Sequence, residues 1–510
     1  MKKPITTPSE AAALIEDGMT LGLCGSGGGL LEADAVFAAI EARFLETGHP
    51  RDLTVINGLG LGDAERKRGF NHFAHEGLVK RVICGLWSWS PRMQALVAEN
   101  KVEAYCFPGG AIQQLMRETG AGRPGLFTHV GLGTFVDPEN DGGRCNDITT
   151  EELVERIEID GKPYLRYKPF KIDIGIVRGT SADSVGNIST LQEASDGDAY
   201  VVALAAHNSG GKVIAQVRET VSRGAIPPRG VTVPGILVDV IAVDPNQMQT
   251  HRSFHEPALC GEERSPEPFP KTGRPFSVRQ VIARRAAEEL TPNTVVNFGF
   301  GIPGGIAAMI AERGESEDYW MTIEQGIHNG AIIDGPIFGA AVNPEVIVSS
   351  VQQFDFYSGG GIDTTCLGMG EMDSHGNVNV SHLGGKLVGT GGFIDISQNA
   401  SKVVFCGTFD AKGGKLEMTD TGVRVTQNGA IHKLVKDVAR ITFSGPEALR
   451  RGQEVVYVTE RAVFQLTPDG VELVEIADGI DLDRDILGCM DFKPIVRDPK
   501  PMNASLFIRS

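Results

Sequence analysis

The chain has 510 residues, more than one ordinary core holds at roughly 100–200 residues per domain, so two to four domains are expected. Hydrophobic residues at 41% and charged residues at 22% match globular usage and exclude a mostly disordered chain. A net charge of −17 argues against a nucleic-acid binder, and an anionic ligand would need a local group of Lys and Arg.

In chain order, the opening MKKPITTPSEAAALIEDG carries two lysines but no apolar stretch, so it does not read as a signal peptide. No run approaches the ~18 apolar residues of a membrane span. A cytoplasmic protein without a membrane partner is the expectation. Helical spacing over 8–17 leads to a short apolar strand at Thr20–Cys24, a Gly-rich turn and a second helix over Ala33–Phe44. Further strands are predicted at Leu53–Ile56, Arg81–Cys84, Ile172–Val177 and Tyr200–Leu204. Residues 256–275, EPALCGEERSPEPFPKTGRP, crowd four prolines among charges, which reads as an exposed linker. It separates an N-terminal domain, 1–255, from a C-terminal domain, 276–510. The second half restarts with a helix over 277–290, a strand at Thr294–Phe298, a Gly turn and a helix over Gly304–Arg313. Strands follow at Val346–Ser349, Thr364–Gly368 and Lys402–Cys406. Short apolar runs alternating with helices predict an α/β fold with buried, mainly parallel sheets and ligands at the strands' carboxyl ends.

The halves resemble one another. Asp173–Ile188 aligns with Asp363–Val378 at a constant offset of 190, matching Asp183-Ser with Asp373-Ser and Gly186-Asn187 with Gly376-Asn377. VVALAAHNSGGKV (201–213) also aligns with VVFCGTFDAKGGKL (403–416) after a one-residue slip, and Thr20–Gly27 aligns with Thr294–Gly301. Two related open-sheet domains are the expectation.

The eight cysteines show no zinc-ribbon or redox spacing and read as free thiols. His251 and His255 stand four apart, but Pro257 follows and no HExxH is present, so no metal is expected. Asn297-Phe-Gly299-Phe300-Gly301-Ile-Pro-Gly304 lies between a strand and a helix, where backbone N–H groups can meet an anion. The same glycines fit a dinucleotide fingerprint, and a purely structural turn is a third reading. In Met321-Thr-Ile-Glu324-Gln-Gly326 a lone carboxylate ends an apolar run. It is either a functional acid, a cap, or the partner of an Arg. Ser358–Gly361 and Gly384–Phe393 add two more Gly loops, which would suit an extended ligand or tight turns.

FTHVGLGTFVDP (127–138), NFGFGIP (297–303), Glu324-x-Gly326, QFDFYSGGGID (353–363), GNVNVS (376–381) and GTGGFIDISQNASKVVFCGTF (389–409) together resemble the family I CoA-transferases. Nearly the whole chain is similar to their single-chain form, of the acetate/propionate type acting on short-chain acyl-CoA and related to the succinyl-CoA:3-oxoacid enzymes. The resemblance implies two α/β halves with the active site in the cleft between them. It implies that Glu324 is the catalytic glutamate, that Gly299, Phe300 and Gly301 form the Gly turn beside it, and that Gly391, Gly392 and Phe393 border the CoA tail. It further implies acyl-CoA and carboxylic acid substrates, no cofactor with coenzyme A serving as substrate, and a homo-oligomer, dimer or tetramer, in short-chain fatty acid or ketone body metabolism. Two departures fall at the acyl pocket. Gly109 stands where relatives carry Gln in FPQG, and His328 stands where small residues follow the glutamate. Lys386 and Lys402 are candidate cations for the phosphates. An acyl-CoA hydrolase on the same scaffold is the alternative activity, and a dinucleotide-dependent oxidoreductase or a sugar-phosphate sensor are the alternatives from other classes.

Overall fold

The computed structural model describes residues 2–267 and 276–509. The chain forms two compact units. The first gathers Met1–Pro266 with two later segments, Glu324–Phe356 and Gly385–Asp395. The second holds Glu267–Ile323, Tyr357–Gly384 and Ile396–Ser510.

The first unit is built on strands β1 (Ile5–Thr6), β2 (Thr20–Leu23), β3 (Leu53–Asn57), β4 (Val79–Cys84), β5 (Glu103–Cys106), β6 (Ile174–Asp183), β7 (Lys212–Val221) and β8 (Val240–Val243). They pair in the order β1-β8-β7-β6-β2-β3-β4-β5, every pairing parallel. The strands read as continuous apolar runs because helices cover the sheet. Leu21, Leu23, Val55, Val82, Ile174 and Ile214 are all buried. Helix α1 (Asp34–Thr47) starts with an acid in its first turn and stops at Gly48, whose φ of 76° gives the left-handed turn a helix end favours. Helices α2 (Gly109–Gly120) and α3 (Ala199–Asn208) pack against each other.

Helix α3 corrects two expectations. Tyr200–Leu204 is helical rather than a strand. The alignment of 201–213 with 403–416 therefore pairs a helix with a strand. The cause is a short run of buried Val and Ala, whose periodicity cannot separate a core helix from a core strand.

The second unit opens with α4 (Val278–Ala287), where Ser277 and Gln280 cap the helix start reciprocally. Its strands are β9 (Thr294–Phe298), β10 (Tyr319–Ile323), β11 (Ile362–Gly368), β12 (Ala400–Cys406), β13 (Glu454–Val458), β14 (Ala462–Thr467), β15 (Gly470–Ile476) and β16 (Ile495–Pro501). They run β10-β9-β11-β12-β13-β14-β15-β16. Pairing is parallel up to β13, then antiparallel through the β13-β14-β15 meander, and the final β15-β16 pair is parallel again. Helix α5 (Gly304–Glu312) follows the Gly turn after β9.

The internal repeat is visible bond by bond. In the first unit, Asp183 accepts from the backbone of Val185 and Asn187 and from Asn187 Nδ2, while Asn187 Oδ1 accepts from Gly235 N at 2.9 Å. In the second unit, Asp373 accepts from His375 N, Asn377 N and Asn377 Nδ2, and Asn377 Oδ1 accepts from Gly445 N at 3.0 Å. Asp173 Oδ2 accepts from Thr20 N at 2.9 Å, and Asp363 Oδ2 from Val295 N at 2.8 Å. The offset of 190 also survives into sheet register: Lys212 sits opposite Ile174, and Lys402 opposite Thr364.

The expected linker is not uniformly exposed. Ala258 and Leu259 are buried, with Leu259 packed beside Leu30, Ala194 and Ala340. Residues 268–275 lie outside the described residues.

Candidate active site

Glu324 follows β10 directly and belongs to the first unit. The residues after it fix its place. Gln325 O accepts from Ser195 Oγ at 2.8 Å, and Gly326 O accepts from Val348 N at 2.9 Å. Gly326 has φ +93°, and a Cβ there would come within 2.0 Å of the Val348 carbonyl oxygen, so only glycine fits. The strand Ile327–His328 then pairs antiparallel with Val346–Ile347.

The carboxyl of Glu324 is partly buried, and burial pushes its pKa up to about 7, against the pull of its own backbone N–H and the Gln325 side chain. Two further acids of this unit share that character. Asp198 accepts from Gly25 N at 2.9 Å and from Gln113 Nε2 at 3.2 Å, and burial raises it to about 6. Asp395 is 1% exposed and takes the N–H groups of Gly110 and Ala111, at the start of α2, at 3.1 and 3.0 Å. Burial raises it to about 8 despite those bonds, and the charge of Glu324 adds to the rise.

The same unit holds buried polar atoms without a hydrogen-bond partner: Gln113 Oε1, Gln325 Oε1 and Ser350 Oγ. Gln113, Gln325 and Ser350 line one small cavity together with Asp198 and Ser195. Orphaned polar atoms are rare in folded interiors, and a cluster of them beside raised carboxyls marks a site arranged for a polar reactant.

The loop of Gly391, Gly392 and Phe393 is bonded into the same unit. Thr390 N and Gly391 N donate to Gly85 O at 2.6 and 2.9 Å, and Gly391 O accepts from Gly109 N at 2.7 Å. Phe393 N donates to Thr390 O at 2.9 Å. No acceptor for the Gly392 N–H is found among the described residues.

Gly109 is buried. A Cβ on it would meet Leu59 Cδ2 at 2.7 Å, Gly58 O at 2.8 Å and Gly391 O at 3.0 Å. It is a contact glycine, with no room for a side chain. His328 is partly exposed, with its ring 6.5 Å from that of Phe356. Burial lowers its pKa, against a bond from Gln353.

Gly299, Phe300 and Gly301 belong to the second unit. Gly299 N donates to Cys366 O at 2.9 Å, Gly301 has φ +89°, and Phe300 is 58% exposed. Lys402 is spent on Glu289 and Glu454 at 2.5 and 2.9 Å. Lys386 is exposed and makes no ion pair among the described residues. Asp198, Asp395, Gln113 and Ser195 had drawn no attention in the sequence. The only signal was that Asp395 closes the GTGGFID run, since burial by distant residues gives the others their character.

Residues 5–244 match the family model described as Coenzyme A transferase. The chain is 42% identical over 506 residues to an acetate CoA-transferase, YdiF, of Escherichia coli strain K12, covering 99% of this chain and 95% of that protein. It is 45% identical over 509 residues to a caffeate CoA-transferase of Acetobacterium woodii, covering 98% and 96%. A crystal structure of acyl-CoA transferase YdiF from Escherichia coli O157:H7, described as a thioester complex with CoA, superposes with a TM-score of 0.94 at 41% identity, covering 99% and 96% of the two chains. No helix of the described residues is long and apolar enough to cross a membrane. The two-unit α/β architecture, the Gly loops and this full-length likeness agree, and the chain belongs to the coenzyme A transferase family.

Proposed function

We propose that the enzyme moves CoA from a short-chain acyl-CoA to a carboxylic acid in two half-reactions through Glu324. The ionised carboxylate attacks the thioester carbonyl, the C–S bond breaks, and CoA leaves as its thiolate. The resulting acyl-glutamyl anhydride is attacked by that thiolate at Glu324 Cδ. The C–O bond breaks, the first acid departs as a carboxylate, and glutamyl-CoA thioester remains. A second carboxylate runs the sequence backwards. Each attack passes through an oxyanion, for which the Gly392 N–H is the proposed donor; one such donor is worth about 2.7–4 kcal/mol. Binding of the CoA tail offsets the energy of the anhydride, with Lys386 proposed to meet a phosphate.

The observation that carries this reading is the partly buried Glu324 carboxyl, raised to about 7 and held beside buried polar atoms that lack partners. Burial strips solvent from the nucleophile, and a neutral covalent adduct relieves the cost of a desolvated charge. The donor and acceptor acids are proposed to be small, as for the acetate enzyme among the relatives.

The test is incubation with acetyl-CoA and no acceptor. CoA should remain on Glu324 as a thioester, and borohydride should then inactivate the enzyme only after that exposure. Glu324→Gln should lower transfer by several orders of magnitude with folding retained. Sequential kinetics, no mass shift and an active Glu324→Gln enzyme would overturn the covalent route. Rapid CoA release without an acceptor would instead favour the hydrolase.

A further inference from the structure

Three side chains of metal-ligating type meet in the first unit at residues 255–262. The imidazole of His255, the thiol of Cys260 and the carboxylate of Glu262 each place a ligand atom within 4.8 Å of the other two. The geometry points to a mononuclear site for a divalent cation of the zinc class at His255, Cys260 and Glu262, with solvent as the fourth ligand.

The local fold builds the cluster. Pro257–Leu259 form a single 3₁₀ turn, and both Cys260 N and Glu262 N donate back to Pro257 O at 3.3 and 3.1 Å. The chain is thereby folded so that the last two ligands return over the first. The turn is anchored from below by the buried Leu259 and by Asn343 N donating to Ala258 O at 2.8 Å. The ligands thus stand on fixed backbone.

Ligand chemistry selects the ion. Nitrogen, thiolate and carboxylate donors in one place suit zinc, while magnesium and calcium prefer oxygen alone. Metal–ligand bonds of 2.0–2.3 Å in a tetrahedron set ligand atoms about 3.3–3.6 Å apart. His255 Nε2 and Glu262 Oε2 are now 2.7 Å apart, so the carboxylate must swing outward by under an ångström. Its side chain is 37% exposed and has that freedom. His255 Nδ1 is buried without a partner, so the ring has a nitrogen in reserve. Glu262 Oε1 accepts from Gln192 Nε2 at 2.7 Å, an outer bond of the kind that orients a ligating carboxylate. Burial and the charges of Glu262 and Glu193 hold the Cys260 thiol above its ordinary pKa. A dication reverses that field, and the thiol proton passes to solvent as the sulfur binds. No redox step is involved, and the site is independent of the Glu324 chemistry.

Cobalt(II) is the probe. Titration of the chelator-treated full-length enzyme should give one equivalent of tightly bound ion, with thiolate-to-cobalt charge-transfer absorption in the near ultraviolet and strong visible bands of tetrahedral cobalt. Zinc should displace it one for one. Cys260→Ser should lose the charge-transfer band, His255→Ala should lose the tetrahedral bands, and Gln192→Ala should weaken binding about 10–100-fold. Cys145→Ser, at the other partly exposed thiol outside this loop, should change nothing. CoA transfer should persist in all four variants. Identical cobalt spectra in the wild type and Cys260→Ser, or no charge-transfer band at all, would overturn the site. So would tetrahedral bands that survive His255→Ala.

Discussion

Glu324 has to satisfy two opposed demands. In the proposed mechanism it must be ionised to attack, yet burial raises its pKa to about 7. A solvated glutamate near ~4.3 would be fully ionised across the neutral range but less reactive for being well hydrated. The rate of CoA adduct formation should therefore fall about tenfold per pH unit below an acid limb near pH 7. A limb near pH 4–5 in rapid-quench measurements would contradict the burial of this carboxyl. Gly109 is a second residue whose role the coordinates sharpen. The family resemblance implied that Gly109 stands at the acyl pocket where a Gln is expected. Its Cβ position is enclosed by Gly58 O, Gly391 O and Leu59. Gly109→Gln should instead behave as overpacking, destabilising the enzyme by about 1–3 kcal/mol and raising KM for every acyl-CoA alike. Denaturant midpoints and donor series on the variant check this, and a selective change of donor preference with unaltered stability would refute it.

At the scale of elements, Asp395 joins the Gly391–Phe393 loop to helix α2. Its two carboxylate oxygens accept the N–H groups of Gly110 and Ala111, which a helix start otherwise leaves without partners. Asp395→Asn turns one acceptor into a donor that faces an N–H. The loop should then lose its anchorage, and adduct formation should slow by roughly 10²-fold, as for a misplacement of about 1 Å. Single-turnover rates and hydrogen exchange at Thr390–Gly392 measure the two halves of that claim. A lowered melting temperature with an unchanged adduct rate would make Asp395 merely structural. Elements with strong local grammar were legible in the sequence. The capped helix starting after Ser277 and the strands around Thr20 and Thr294 were expected close to where they lie. Helix α3 was not, because Val201 and Val202 in an all-apolar run look as much like strand as helix. The glycine-lysine coincidence at 211–212 and 414–415 then drew the repeat one step out of place. Holding the offset of 190 would have set Lys212 on Lys402, as the sheet registers do. Glu324 was legible because a lone acid ended a strand, whereas Asp198 owes its character to burial by segments far away in the chain. Cys260 and Glu262 were read as linker because the composition of 256–275 is that of a linker, and His255 just before it was set aside, with His251, as a metal pair; only Leu259 shows that the loop is pinned.

Across the whole molecule, Glu324, Asp198 and Asp395 carry raised pKa values of about 7, 6 and 8. A carboxyl raised in the folded state binds its proton more tightly there than in the unfolded chain. Its stabilising contribution is complete below the unfolded pKa near 4 and is lost as pH rises through the folded value. These three groups should therefore lower the melting temperature progressively from about pH 4 to about pH 8. Glu324→Gln removes one titration, so its melting curve should decline less over that range than the wild type's. Parallel declines in calorimetry would show that Glu324 does not titrate as described.

The first unit is discontinuous in the chain: it is completed by Glu324–Phe356 and Gly385–Asp395. During synthesis, the N-terminal segment therefore emerges from the ribosome well before the residues that finish it. Until residue 395 is made, the N–H groups of Gly110 and Ala111 lack Asp395, and Leu259 lacks Ala340. The nascent half must wait, partly open, for over a hundred further residues. An isolated 1–267 fragment should accordingly bind a hydrophobic dye, and a supplied 276–510 fragment should quench that binding. The two halves share a pattern of bonds, yet the first unit is finished only with material from the second half of the chain.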